Sequence, residues 1–92
     1  MTSPTSHPVL IPSALLSYTA QQAWVQAQGQ TLGEVLDDLD RQFPGLRFRV
    51  IDEQDHVRRH MRVFIEGRGV ERLSHPLAPG VPVYLVLALS GG

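Results

Sequence analysis

The groups able to do chemistry in this chain gather at its C-terminal end, which reads Leu87-Ala88-Leu89-Ser90-Gly91-Gly92. The candidate reactive group is the carboxylate of Gly92, with Gly91 beside it. Activating a carboxylate requires threading it beside the phosphates of ATP in a partner enzyme. A tip without Cβ atoms fits a narrow channel, accepts unusual φ values and leaves the carbonyl open to attack. A terminal Gly-Gly is weak evidence alone, because a glycine usage of ~7% supplies it by chance to about one chain in two hundred. Its placement carries more: it follows an apolar stretch, Val81 to Ala88, that would anchor a tip projecting from the domain. Leu87, Leu89 and Ser90 lead into the tip and are candidate contacts of the enzyme receiving it.

Other constellations are weaker. His56 and His60 would share a face on a helix, as metal ligands do, but they sit in a charged segment and read as surface histidines. His7 and His75 each adjoin a proline in expected loops, with no visible partner. Asp37, Asp38 and Asp40 resemble a cation site, yet they occupy the polar side of an amphipathic helix and read as a solvated face. Arg47, Arg49, Arg58, Arg59 and Arg62 form the basic concentration of the chain. Two readings stand for it: a solubilising loop, or a surface meeting an acidic patch on a partner. Ser74 and Ser90 lie in no nucleophile elbow, and no Gly-rich phosphate-binding loop is present.

The 92 residues suffice for one domain with a modest core. Eight basic and nine acidic side chains leave a net charge of −1, poor material for displacing counterions from nucleic acid. Cysteine is absent, which removes disulfides, thiolate metal sites and a cysteine nucleophile. Every basic residue is arginine, so no lysine amine is available for chain extension on the protein itself. No apolar run approaches the ~20 residues of a membrane-spanning helix. Met1 to His7 does not read as a signal peptide, so neither nucleic acid nor membrane is expected as a partner, and a cytoplasmic setting is.

The elements that must position the tail are legible in outline. Residues 1–8 are rich in Pro, Ser and Thr and read as a flexible tail, and the domain spans 9–88 with residues 89–92 beyond it. Val9 to Pro12 reads as a strand, and Ala23 to Gln28 alternates as a second strand. Thr31 and Glu34 have capping-box spacing, the hydroxyl taking the Glu34 N–H and the carboxylate returning to the Thr31 N–H. Leu32, Val35, Leu36, Leu39 and Phe43 then recur on one helical face until Pro44-Gly45 stops the helix. Leu46 to Ile51 fits an irregular or helical turn, Asp52 to His60 a polar loop, Met61 to Glu66 a third strand, and Val70 to Leu73 a short strand or turn. Val81 to Ala88 is the last strand, apolar enough to be central or covered on both faces. It would pair in parallel with the first.

This order, β-β-α-β-β, predicts an α+β protein with a mixed four- to five-stranded sheet packed on one main helix. With Val9, Ile11, Val25, Val63, Ile65, Val83 and Leu85 facing the helix, Leu10, Trp24, Phe64, Tyr84 and Val86 face away. Trp24, Phe64 and Tyr84 are thus candidate partner contacts on an open face. Cover by the 46–60 segment, or a register slipped by one residue, is the alternative.

The pieces V-L-I-P-S-A-L-L-S-Y-T, T-L-G-E-V-L-D-D-L, P-G-L, R-V-F-I-E-G and P-L-A-P-G-V-P-V, followed by L-S-G-G, stand in an order that resembles the MoaD/ThiS family of ubiquitin-like sulfur carriers. The resemblance covers nearly all of residues 9–92 and implies the β-grasp fold. It also implies a mechanism in which an E1-like enzyme adenylates Gly92 and a sulfur donor displaces AMP, leaving a thiocarboxylate for a sulfur-accepting biosynthetic enzyme. ATP and zinc would belong to the activating partner, and this chain would bind no cofactor or metal. A trimming peptidase joins the partners if Gly92 is exposed by processing. The D-E-Q-D-H-V-R-R-H insertion resembles the cysteine-biosynthesis branch. Tyr84-Leu85-Val86-Leu87 departs from the aromatic- and proline-rich approach of molybdopterin carriers. A molybdopterin synthase small subunit and a protein modifier conjugated through Gly92 remain as alternatives.

Overall fold

A computed structural model of the chain describes residues 6–88. Five strands form one sheet in the order β2-β1-β5-β3-β4. They are β1 (Ser6–Leu10), β2 (Trp24–Gln28), β3 (Met61–Ile65), β4 (Arg68–Gly69) and β5 (Val83–Leu87). Two helices, α1 (Leu32–Gln42) and α2 (Leu46–Val50), complete the fold with a 3-10 helix over Ser13–Thr19. The last strand is central, as expected: β5 runs parallel to β1 and antiparallel to β3.

Alternation assigns the faces. Val9, Ile11, Val25, Val63, Ile65, Val83 and Leu85 are all buried, as are Leu32, Val35, Leu36 and Leu39 of α1. Strand side chains at even spacing share a sheet face, and the helix lays its apolar stripe on that face. Leu46, Val50 and Ile51 close the core beside it.

Helix α1 is held at its start by more than a capping box. Thr31 Oγ1 accepts from the Glu34 N–H at 3.2 Å as expected, but the Glu34 carboxylate accepts from the Gln30 N–H at 2.8 Å rather than from Thr31. The free N–H groups of Leu32 and Gly33 donate to the carbonyls of His75 and Leu73, so a distant loop satisfies donors that a helix start leaves open. The acidic side of α1 is partly structural. Asp38 accepts from the Gln28 N–H, Asp40 accepts from the N–H groups of Gly45 and Arg47, and Arg47 bridges Asp37 and Asp55.

Several expectations are corrected. The first strand begins at Ser6 rather than Val9, so His7 and Pro8 belong to β1 and not to a tail. His7 is fully buried, with Nδ1 2.9 Å from the Val81 carbonyl oxygen and Nε2 2.8 Å from that of Gly29. It therefore ties β1 to the approach of α1 and to the approach of β5. A strand of alternating residues that opens on Ser-His-Pro conceals this role, because neither flanking Pro nor composition signals inward placement.

The short fourth strand is Arg68–Gly69, not Val70 to Leu73. Glu66 (φ 53°) and Gly67 (φ 79°) form the two-residue turn between Ile65 and Arg68, the left-handed pair that matches the twist of a tight hairpin. The last strand starts at Val83 and is covered on one face only, since Tyr84 and Val86 are exposed. His56 and His60 lie in no helix and share no helical face.

Candidate docking face and tail root

The open side of the sheet carries one continuous row. Trp24 pairs with Leu10, Leu10 with Tyr84, Tyr84 with Phe64, and Phe64 with Gly69, so the row crosses all five strands. Trp24 reaches over Leu10 to Tyr84, their ring centroids 5.7 Å apart with planes at 78°, the edge-to-face geometry that aromatic quadrupoles favour. Trp24 is 50% exposed, Tyr84 37% and Phe64 36%. Val86 extends the patch one pair further and lies across from Arg62. The 46–60 segment does not cover it. Large apolar rings in contact with each other yet open to water are an unusual expense for a small domain, and such patches mark interaction sites.

Leu87 behaves differently. It has the parity of Val83 and Leu85, is half-buried, and packs on the helix side of the sheet. Its neighbour Ala88 donates its N–H to the His60 carbonyl at 2.8 Å, which extends the pairing of β5 with the β3 side by one residue. The tail root is therefore held on its β3 side, beyond the reach of the β1 pairing, which ends at Tyr84. Leu89, Ser90, Gly91 and Gly92, the remaining site residues read from the sequence, lie outside the described residues.

Sequence reasoning missed Phe48. Its ring is 53% exposed on α2, with the Arg58 guanidinium 4.5 Å above it and the Arg58 Nε donating to the Phe48 carbonyl at 2.6 Å. Phe48, Arg49, Arg58 and His60 line a groove of about 350 Å³ whose floor includes Leu15, Met61 and Leu87. The only signal available was an apolar residue out of phase with Leu46 and Val50. Asp52 closes the following loop by accepting from the N–H groups of Gln54 and His56. The His56 and then the Gln54 hydrogen bonds hold its carboxyl below the ordinary range. Among the described residues no three His, Cys, Asp or Glu side chains are placed to hold a metal ion. No helix among them is long and apolar enough to cross a membrane.

A mixed five-stranded sheet packed on one main helix, with a C-terminal central strand, defines a ubiquitin-like β-grasp protein. The chain belongs to the ThiS family, whose model matches residues 9–92. It is 30% identical over 89 residues to the sulfur carrier protein CysO of Mycobacterium tuberculosis, a match covering 91% of this chain and 96% of the relative. The solved structure of that CysO superposes with a TM-score of 0.85 at 28% identity, covering 90% of this chain and 99% of the other. The Amycolatopsis orientalis BexX/CysO complex contains a chain with the same TM-score at 26% identity, covering 94% and 99%. Urm1 from Trypanosoma brucei, at 18% identity and a TM-score of 0.69 over both full lengths, shares the fold.

Proposed function

We propose that this chain is a sulfur carrier and cosubstrate, not itself an enzyme, whose working group is the Gly92 carboxylate. An E1-like partner joins that carboxylate to the adenylyl group of ATP, releasing pyrophosphate. A hydrosulfide equivalent then attacks the carbonyl carbon, the bond to AMP breaks, and a Gly92 thiocarboxylate remains. The thiocarboxylate delivers sulfur to a biosynthetic enzyme, in cysteine formation or that of another sulfur-containing metabolite. ATP and zinc are the partner's.

The observation that carries this reading is the family match, which runs to Gly92 itself, together with the 30% identity to CysO sulfur carriers. The geometry supports it. A carrier needs a rigid body to dock and a tip free of side chains to react. Here β5 is held on both sides by β1 and β3, its Tyr84 and Val86 open to a partner, while its end leads directly to the tail.

The test is intact mass spectrometry of the chain co-expressed with its host's E1-like enzyme and a sulfur source. A mass gain equal to exchanging one oxygen for sulfur, absent when Gly92 is deleted from a chain that still folds, is the expected result. Conjugates on other proteins without that gain would instead identify a protein modifier.

A further inference from the structure

The eight arginines of this chain fall into three sets; Arg68 and Arg72, in and beyond β4, are the third and line neither of the two grooves at the tail root. Arg41 and Arg47 are paired with Asp38 and with Asp37 and Asp55. Arg49, Arg58, Arg59 and Arg62 form no ion pair among the described residues, although they come from α2, the following loop and the start of β3. They converge on two adjoining grooves. One, of about 350 Å³, is lined by Arg49, Arg58 and His60 with Leu87. The other, of about 390 Å³, is lined by Arg58, Arg59 and Arg62. Arg58 and Met61 belong to both.

We propose that this cationic double groove at the tail root docks an acidic segment of the enzyme that takes the tail. The inference rests on the carrier reading above and adds to it a cationic contact that adjoins the aromatic row at Gly69 and at Arg62, across from Val86.

Three observations carry it. The first is reach. Gly92 is four residues beyond Ala88, and an extended chain covers at most about 3.3–3.6 Å per residue. Gly92 therefore lies within roughly 14 Å of Ala88, and Ala88 is hydrogen-bonded to His60 on the groove's rim. An enzyme closing on Gly92 therefore works within reach of this groove.

The second is preparation. Arg58 is stacked on Phe48 and tied to its carbonyl. Arg62 donates through Nη1 to the carbonyls of Arg59 and Met61 at 2.9 and 2.8 Å. Guanidiniums already held in place lose little freedom when a carboxylate arrives.

The third is the footprint. Glu71 stands on the wall of the second groove, and Asp52 lies within electrostatic reach of Arg58. These acidic side chains bound the cationic patch, so it fits a short anionic stretch rather than a long polyanionic backbone. The apolar floor of Leu15, Met61 and Leu87 favours the stems of such side chains.

The first arm of the test titrates the isotopically labelled full chain with octaglutamate, and separately with octaglutamine, at low salt. Chemical-shift changes are expected at Arg49, Arg58, Arg59, His60, Arg62 and Leu87 with the acidic peptide only, and they should vanish in high salt as screening shortens. Changes centred on Arg68 and Arg72, or tighter binding of an octathymidylate at the same groove, would overturn the proposal.

The second arm follows thiocarboxylate formation with the activating enzyme. The double variant Arg58→Glu/Arg62→Glu should slow it about tenfold or more at low salt, the loss shrinking as salt rises, as rim charges act through encounter. Arg58→Gln should slow it in the same direction by less, and Arg68→Glu/Arg72→Glu should leave it unchanged. A thermal melt checks that each variant is folded. Equal rates at every salt for the wild type and a folded Arg58→Glu/Arg62→Glu sink the groove alone. If the wild type forms no thiocarboxylate, the carrier reading falls, and the peptide titration still decides whether the groove takes acidic chains.

Discussion

The two faces of the sheet are built from the same strands, yet one is sealed from water and the other open to it. On the covered face Val9, Val63, Val83 and Leu85 are almost wholly removed from water by α1. On the open face their immediate neighbours Leu10, Phe64, Tyr84 and Val86 are as apolar but lie half in solvent. Burial of a large aliphatic side chain stabilises by about 1.5–3 kcal/mol, and the open face forgoes much of that. A domain this small has little stability to spare, so an uncovered aromatic row points to use in recognition. Stability sits on one side of the sheet, while the other leaves its apolar side chains open to water.

Four measurements break or sharpen that contrast, in descending size. Leu36→Asp places a carboxylate in the α1–sheet contact without a partner, and should lower stability by more than about 4 kcal/mol, collapsing the dispersion of an amide spectrum. A normally folded variant would show that the covered face is not the core.

His7→Ala removes a ring that in its neutral form can donate to only one of the Gly29 and Val81 carbonyls, leaving that part-buried acceptor unpaired at about 1–3 kcal/mol. Denaturant unfolding should report a loss of about 1–3 kcal/mol. An unchanged midpoint would mean that water replaces the ring and that β1 needs no such tie.

Trp24→Ala should cost no more than about 1.5 kcal/mol, the scale of an edge-to-face aromatic pair. Its effect on binding to the activating enzyme should be larger, a tenfold or greater weakening by calorimetry. Severe destabilisation with normal affinity would invert the contrast between the faces.

The smallest effect concerns the loop after α2. Asp52 has a depressed folded-state pKa because the N–H groups of His56 and Gln54 donate to it, so its contribution is present above the ordinary aspartate value of about 4 and is lost as pH falls through the folded value. Protection of the Gln54 and His56 amides, relative to their intrinsic exchange rates, should fall only under those acidic conditions, with the sheet unaffected. Low protection already at neutral pH would show that Asp52 does not close the loop.

Much of this was legible from residue order. Thr31, the spacing of Leu32 through Leu39, and Pro44-Gly45 mark α1 because capping and a 3.6-residue period are local properties. The inward set of the strands was legible because a two-residue period is local too, and the exposure of Trp24, Phe64 and Tyr84 followed from it. The 3-10 helix over Ser13–Thr19 was not, since its left-handed exit at Ala20 and Gln21 is held by Thr19, whose buried hydroxyl donates to the carbonyls of Leu16 and Gln22. The β4 turn was missed because Glu66 carries no preference for a positive φ.

What residue order determined by itself was the set of elements, the parity of each strand and the side-chain-free end at Gly91 and Gly92. What only the tertiary structure decided was which distant residues meet. Period alone carries no register, so nothing local places Trp24 in one row with Leu10, Tyr84, Phe64 and Gly69, or His7 between Gly29 and Val81. The same holds for Arg49, Arg58, Arg59 and Arg62, which read as a charged loop in sequence. They become a groove at the tail root because Ala88 pairs with His60, and that pairing is set by the register of β5 against β3.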